Sequence, residues 1–233
     1  MINNSIYLLL LLMALLGAPI VRSADANLFE KITANSSRGN KQTAQIEYSG
    51  SVEIQLTNLK VSADQATVSK TQFSASGSPI QFSYQALDNA GETINIEVTS
   101  NNINYSLQDG LMEFINSVAV TVIKPNSRFQ FNAEKLTYRH DHTKQNQPLF
   151  FQAIGEPIAI TSSLGSEQAR FQADQLSLDF RSNQLTLSNN VVFENSVNRI
   201  TGSKLNYDLS TGRWEFPTVK NQRIEMTKNN QND

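Results

Sequence analysis

The only two histidines of the chain sit together in His140-Asp141-His142, with Lys144 close behind. Imidazoles at i and i+2 share one face of an extended strand, a spacing that suits a metal ion. A zinc site needs a third protein ligand, and none accompanies this pair. The surrounding stretch is polar and reads as a solvated loop. The other chemistry open to Arg139, His140, His142 and Lys144 is contact with a ligand phosphate, which needs only proximity and positive charge. Asp64, Glu134 and Asp174 recur at one position of a repeated motif, as paired catalytic carboxylates would. Asn101 and Ser203 fill that same position in other copies, so the position asks for a small polar group and not for an acid. There is no Ser-His-Asp set, no glycine-rich phosphate loop and no cysteine. The chain reads as a non-enzyme without a cofactor or a metal centre.

The motif that carries those carboxylates is an octad present five times: VSADQATV at 61–68, VTSNNINY at 98–105, FNAEKLTY at 131–138, FQADQLSL at 171–178 and ITGSKLNY at 200–207. Position 1 is apolar (Val61, Val98, Phe131, Phe171, Ile200) and position 3 is small (Ala63, Ser100, Ala133, Ala173, Gly202). Positions 6 and 8 are mostly apolar, with Leu136, Leu176, Leu205 and Tyr207 among them. Positions 1 and 3 lie on one face of a strand, as do 6 and 8, but the parity changes between the pairs. A strand that keeps both pairs inward contains a one-residue bulge or corner near positions 4–5. Repeated in every copy, that bulge curls the sheet.

The segments between octads alternate as strands do: Val52, Ile54 and Leu56; Ile94, Ile96 and Val98; Val118, Val120 and Val122. Turns are expected at Gln108-Asp109-Gly110, Arg181-Ser182-Asn183 and Ser210-Thr211-Gly212. A second element, FSASGSPIQF at 73–82 and FQAIGEPIAI at 151–160, is a strand broken by Gly-x-Pro. Residues 27–44 are polar and weakly patterned, and 227–233 reads as a frayed tail. No helical pattern follows the leader. The leader itself has an apolar run from Ile6 to Leu16, then small residues that place cleavage after Ser23, with an uncleaved membrane anchor as the alternative. Residues 24–226 then form one all-β domain. A net charge of −2 gives no footprint for nucleic acid.

YSGSVEIQLTNLKVSADQ (48–65) and LTLSNNVVFENSVNRITGSKLNYDLSTGRWEF (185–216) resemble the OstA-like family of periplasmic lipopolysaccharide-transport proteins typified by LptA. The Gly155-Glu156-Pro157 strand also fits that family's Gly-x-Pro element. The resemblance implies a curled antiparallel, V-shaped β-jellyroll whose apolar interior takes lipid A acyl chains. From the residues alone that interior is either a sealed core or a slot. The lining residues are Ile54, Val61, Ala63, Ile96, Val98, Phe114, Val118, Val120, Phe129, Phe131, Leu136, Phe171, Leu176, Phe193, Ile200, Leu205 and Tyr207. The implied partners are lipopolysaccharide, an inner-membrane LptC-like jellyroll, an outer-membrane LptD-like jellyroll and further copies of the chain, head to tail. Edge pairing would use the strand near Gln45–Gln55, with Val52 and Ile54, and the strand near Leu205–Phe216, with Tyr207, Trp214 and Phe216. The implied location is the periplasm. The same resemblance admits a membrane-anchored inner-membrane subunit, and the residues alone admit a structural β-repeat protein of the envelope.

Overall fold

A computed structural model of the chain describes residues 30–218 and 223–228, apart from 57, 88–90, 107, 126, 141–147 and 165–166. Its fourteen strands are β1 (Lys31–Thr33), β2 (Ser36–Asn40), β3 (Gln45–Leu56), β4 (Leu59–Val68), β5 (Gln72–Leu87), β6 (Thr93–Ser106) and β7 (Leu111–Lys124), followed by β8 (Ser127–His140), β9 (Pro148–Leu164), β10 (Glu167–Asp179), β11 (Gln184–Glu194), β12 (Asn198–Asp208), β13 (Trp214–Glu215) and β14 (Glu225–Lys228). From β3 to β12 each strand pairs antiparallel with the next, so the body of the sheet is one long meander. No helix occurs among the described residues. The all-β antiparallel class read from the sequence is what the chain forms.

The octads are every second strand: β4, β6, β8, β10 and β12. In the first octad Val61, Ala63, Ala66 and Val68 are all buried while Asp64 and Gln65 are both exposed, which is the parity change the motif requires. The strands between them come in two alternating kinds. In β3, β7 and β11 the corner is a pair of left-handed residues: Gly50-Ser51, Asn116-Ser117 and Asn189-Asn190. In β5 and β9 the corner is the Gly-x-Pro element, with cis bonds at Ser78-Pro79 and Glu156-Pro157. Every pairing from β3 to β12 therefore has its register shift at mid-strand.

The mismatch is regular. An octad takes three steps between its inward positions 3 and 6, as from Ala133 to Leu136. The left-handed strand beside it takes four, from Val118 back to Phe114. The Gly-x-Pro strand takes five, as from Ala153 to Ile158 beside Leu176 and Ala173. Unequal path lengths at one level bend all the strands along a common line, and the sheet divides there into two leaves. One leaf holds the octad position 1–3 ends and the other the position 6–8 ends. The polar side chain at position 4 ties the corner down: Asp64 Oδ2 accepts from the Ser78 N–H at 3.2 Å, and Asp174 Oδ2 accepts from Asn190 Nδ2 at 2.8 Å. Asp64 and Asp174 thus serve as structural groups at the corner.

The expected turns fall where the sequence places them. Gly110 (φ 60°), Asn183 (φ 54°) and Gly212 (φ 69°) supply left-handed positions, and Asp208 Oδ1 accepts from the backbone N–H groups of Ser210 and Thr211. Three readings need correction. The weakly patterned stretch 27–44 contains β1 and β2, which pair with the two halves of β3. Their side chains are almost all exposed, so no apolar alternation marks them. The strand bearing Val52 and Ile54 is thus covered on both sides and is not the sheet's free rim. At the other end Thr227 and Lys228, read as tail, belong to β14, which pairs with one half of β12 while β13 pairs with the other. The leader, the 141–147 loop and residues 229–233 lie outside the described residues.

A β-branched residue is strongly disfavoured in the left-handed region, at a cost of about 1–2 kcal/mol. Asn116 has φ 66° and an exposed side chain. Asn116→Val lowers the stability measured by urea unfolding by about that amount; Asn116→Gly, which suits the same backbone, stays within a few tenths of wild type.

Candidate functional site

Because each octad turns both apolar pairs inward, the two leaves face one another across a continuous apolar interior. All seventeen sequence-predicted lining residues lie in it. Ile54, Val61, Ala63, Ile96, Val98, Val118, Val120, Phe129, Phe131, Phe171, Phe193 and Ile200 come from one leaf. Phe114, Leu136, Leu176, Leu205 and Tyr207 come from the other. Through the middle of the sheet the space between them is filled by side chains. Phe82 of the first leaf meets Phe114 and Tyr138 of the second edge-on, with centroids 5.0 and 6.2 Å apart. Tyr84 meets Tyr138 at 5.7 Å, and Phe171 meets Tyr207 at 5.2 Å. Aromatic pairs in these geometries are worth about 0.5–1.5 kcal/mol beyond their area.

Phe82, Tyr84 and Tyr138 were not among the lining residues read from the sequence. The signal was present in the alternation Ile80, Phe82, Tyr84, Ala86 and in octad position 8. Tyr84, Tyr105 and Tyr138, three of the four buried tyrosines among the described residues, bring phenol oxygens into this interior. Burial in apolar surroundings pushes all three phenols up: Tyr84 above its ordinary value, Tyr105 to about 12 and Tyr138 well above 10.

The side of the V opposite the corner is where the leaves end in turns. There Lys124 Nζ, at the end of β7, donates to Asn183 Oδ1 in the β10–β11 turn of the opposite leaf at 2.7 Å. Beneath this bond Phe180 covers Phe151, with centroids 5.0 Å apart, and the space left among Val122, Phe129, Tyr207 and Leu209 is about 10 Å³, room for one water at most. Nearer the β12 end the leaves stand apart. A cavity of about 560 Å³ lies between the 195–197 turn and Gly212, lined by Phe193, Tyr207, Trp214 and Arg170. Its size is in the range of small-molecule sites. Trp214 stacks on Phe193 at 5.0 Å and is 38% exposed. Lys124, Asn183 and Arg170 were missed by sequence reading because only the folding-over of the sheet brings them to the mouth.

The His140–His142 pair lies outside the described residues apart from the backbone of His140, and Arg139 lies over the Phe150 ring at 5.7 Å. Among the described residues no three His, Asp or Glu side chains gather as metal ligands would. What the geometry provides is an apolar interior bounded by two leaves joined along the corner.

A scan against protein families matches residues 31–213 to the family described as LptA/(LptD N-terminal domain) LPS transport protein. The chain belongs to that family. The match takes in every octad and stops just before β13. A solved structure of LptH, the LptA-homologous periplasmic component of the lipopolysaccharide transport device of Pseudomonas aeruginosa, is similar over 51% of this chain and 78% of that one, at 17% identity and a TM-score of 0.40. No curated protein matches the sequence.

The raised phenols set a stability window. Below about pH 10 the tyrosines are neutral in both states and cost nothing. Above it the unfolded chain ionises while the folded interior resists, so stability falls between pH 10 and the folded value near 12 for Tyr105. Each such group lowers stability by about 1.4 kcal/mol per pH unit in that window. Thermal melts of wild type fall steeply above pH 10, and Tyr138→Phe makes the fall shallower while leaving the profile below pH 9 unchanged in shape.

Proposed function

We propose that this protein is a periplasmic lipopolysaccharide carrier that holds lipid A acyl chains between its two leaves and passes them from the inner membrane toward the outer-membrane assembly machinery. The observation that carries this reading is the interior itself: one uninterrupted apolar surface spans β3 to β12 between leaves joined along a single bent line. A sheet hinged on one side can part on the other, where Lys124–Asn183 is the polar bond between facing turns. Parting the leaves exchanges aromatic contacts for contacts with an acyl chain. Each dozen or so methylenes contributes on the order of 10 kcal/mol gross against water. Release to water is then slow, whereas movement into an equivalent slot of an adjoining protein leaves the apolar environment nearly unchanged. That asymmetry favours a relay over a diffusing carrier.

In this reading the leader exports the chain. The β1–β2 rim meets an LptC-like jellyroll of the inner membrane, and the β12 rim meets an LptD-like jellyroll of the outer membrane, by strand pairing. Arg170 and Lys124 stand at the mouth, positioned to meet the phosphates of a lipid whose chains lie inside. The tight aromatic packing is also what a ligand-free structural repeat protein would have, so lipid content separates the two readings.

The test is a mass spectrum of the solvent extract of protein expressed with its own leader and purified from an envelope fraction. Lipid A in near-stoichiometric amount is expected, and a photoreactive residue in place of Phe82 crosslinks to it. A lipid-free protein that also takes up no added lipopolysaccharide assigns the fold to a structural role instead.

A further inference from the structure

The C-terminal rim is built differently from the rest of the sheet. After β12 the chain pairs only Trp214 and Glu215 with one leaf, then only Glu225–Lys228 with the other. These strands form one split strand of six paired residues beside β12, which has eleven. All six are exposed. They lie beyond residue 213, where the match to the transport family stops. Yet the segment is seated. Gly202 holds octad position 3, where the other copies carry Ala63, Ser100, Ala133 and Ala173. A Cβ on Gly202 would meet the Phe216 ring at 2.7 Å and would lie 3.8 Å from Ile224. The missing methyl is thus a notch that receives Phe216, which packs against the interior at its β12 end. Trp214 beside it, 6.2 Å away, walls the 560 Å³ cavity. The opposite rim is made otherwise: there Asn35 sits over Gly50 and its N–H donates to the Gly50 carbonyl at 2.8 Å, a polar fastening.

We propose that Trp214–Thr218 and Arg223–Lys228 are a displaceable stopper: Phe216 closes the end of the slot, and β13 and β14 occupy the β12 edge that a second copy of this chain would otherwise take with its first strands. The proposal rests on the relay reading for its purpose and on the rim geometry for its mechanism. The first strands of a second copy, β1 and β2, bring three and five strand residues to β12, eight in all, whereas the stopper pairs with six of its residues. Exchange therefore gains main-chain hydrogen bonds, and it uncovers the slot end at the moment a neighbouring slot arrives. The chain alone stays single because its own segment holds the edge, with Ile224 and Met226 left exposed on it (47% and 57%).

The experiment uses the full chain, exported with its leader, as wild type, Gly202→Ala and Phe216→Ala. Alanine already occupies the equivalent octad position three times, so Gly202→Ala changes the notch without an unfamiliar core residue. Light scattering gives the mass as concentration rises, and limited trypsin digestion follows cleavage after Arg223. Wild type is expected to stay monomeric and to be cut slowly. Both variants are expected to be cut at least tenfold faster and to gain mass with concentration. Faster cutting without self-association would overturn the edge-blocking role. Unchanged cutting in both variants would overturn the seating of Phe216. A wild type that self-associates, with the variants monomeric, would make the segment the contact itself and not its block. None of these readouts depends on lipid, so lipid content still judges the transport reading separately.

Discussion

Everything in this molecule depends on a length mismatch at mid-strand. An octad takes three residues across the corner, its neighbours take four or five, and the excess must leave the plane of the sheet. Left-handed pairs such as Asn189-Asn190 take up one extra residue, and the Gly-x-Pro elements take up two. Because the two devices alternate, the true structural repeat is four strands, and the left-handed pairs recur 66 and 73 residues apart. Remove the mismatch and the sheet would lie open, with one face of ten strands exposing its apolar residues. With it, the same residues bury one another without a helix or a second sheet.

That solution also explains why a tightly packed interior is covalently tied on one side alone. Ordinary sandwiches join their two sheets by chain connections at both ends, whereas here the leaves are two halves of the same strands. The covalent connection between them runs along the corner only. On the far side the closure consists of side chains: the Lys124–Asn183 bond, Phe180 over Phe151, and the edge-to-face contacts of Phe82, Tyr84 and Tyr138. Such contacts are individually modest. Their sum holds the two leaves together, and in the proposed function each would be replaced by a contact with an acyl chain. The buried phenols fit the same logic, since a neutral phenol tolerates an apolar neighbour and an ionised one does not.

The sequence made the repeated octad legible because its parity change is written in residue types: small at position 3, apolar at 6, polar at 4 and 5. It also made the burial of the lining residues legible, since alternation reports which way a side chain points. It could not reveal β1 and β2, whose residues (KIT and SSRGN) are exposed and are held by backbone bonds to β3 with little side-chain burial. Nor could it reveal the mouth. Lys124 and Asn183 are 59 residues apart, with β8, β9 and β10 between them, and become neighbours only because the sheet folds over. Gly202 looked like one more small residue at position 3; its meaning lies in Phe216, which the octad pattern does not contain.

An open sheet must do something with its two rims, and closure into a barrel is the usual escape. This sheet cannot take it, because closing the rims on each other would fix the leaves apart or together along their whole length. Split strands are the compromise. Each rim is covered by two short pieces, one per leaf, so the cover bends with the corner and does not bridge it rigidly. The pieces differ in how they are held. At β3 the junction is polar and hydrogen-bonded through Asn35, while at β12 it is an aromatic ring in a glycine notch. A hydrogen-bonded junction surrenders a directional bond when it opens. A ring leaving a notch surrenders only contact area, which an incoming apolar group restores. The two rims are thus held by different means, and if the β12 rim exchanges as proposed, a head-to-tail array would have a direction.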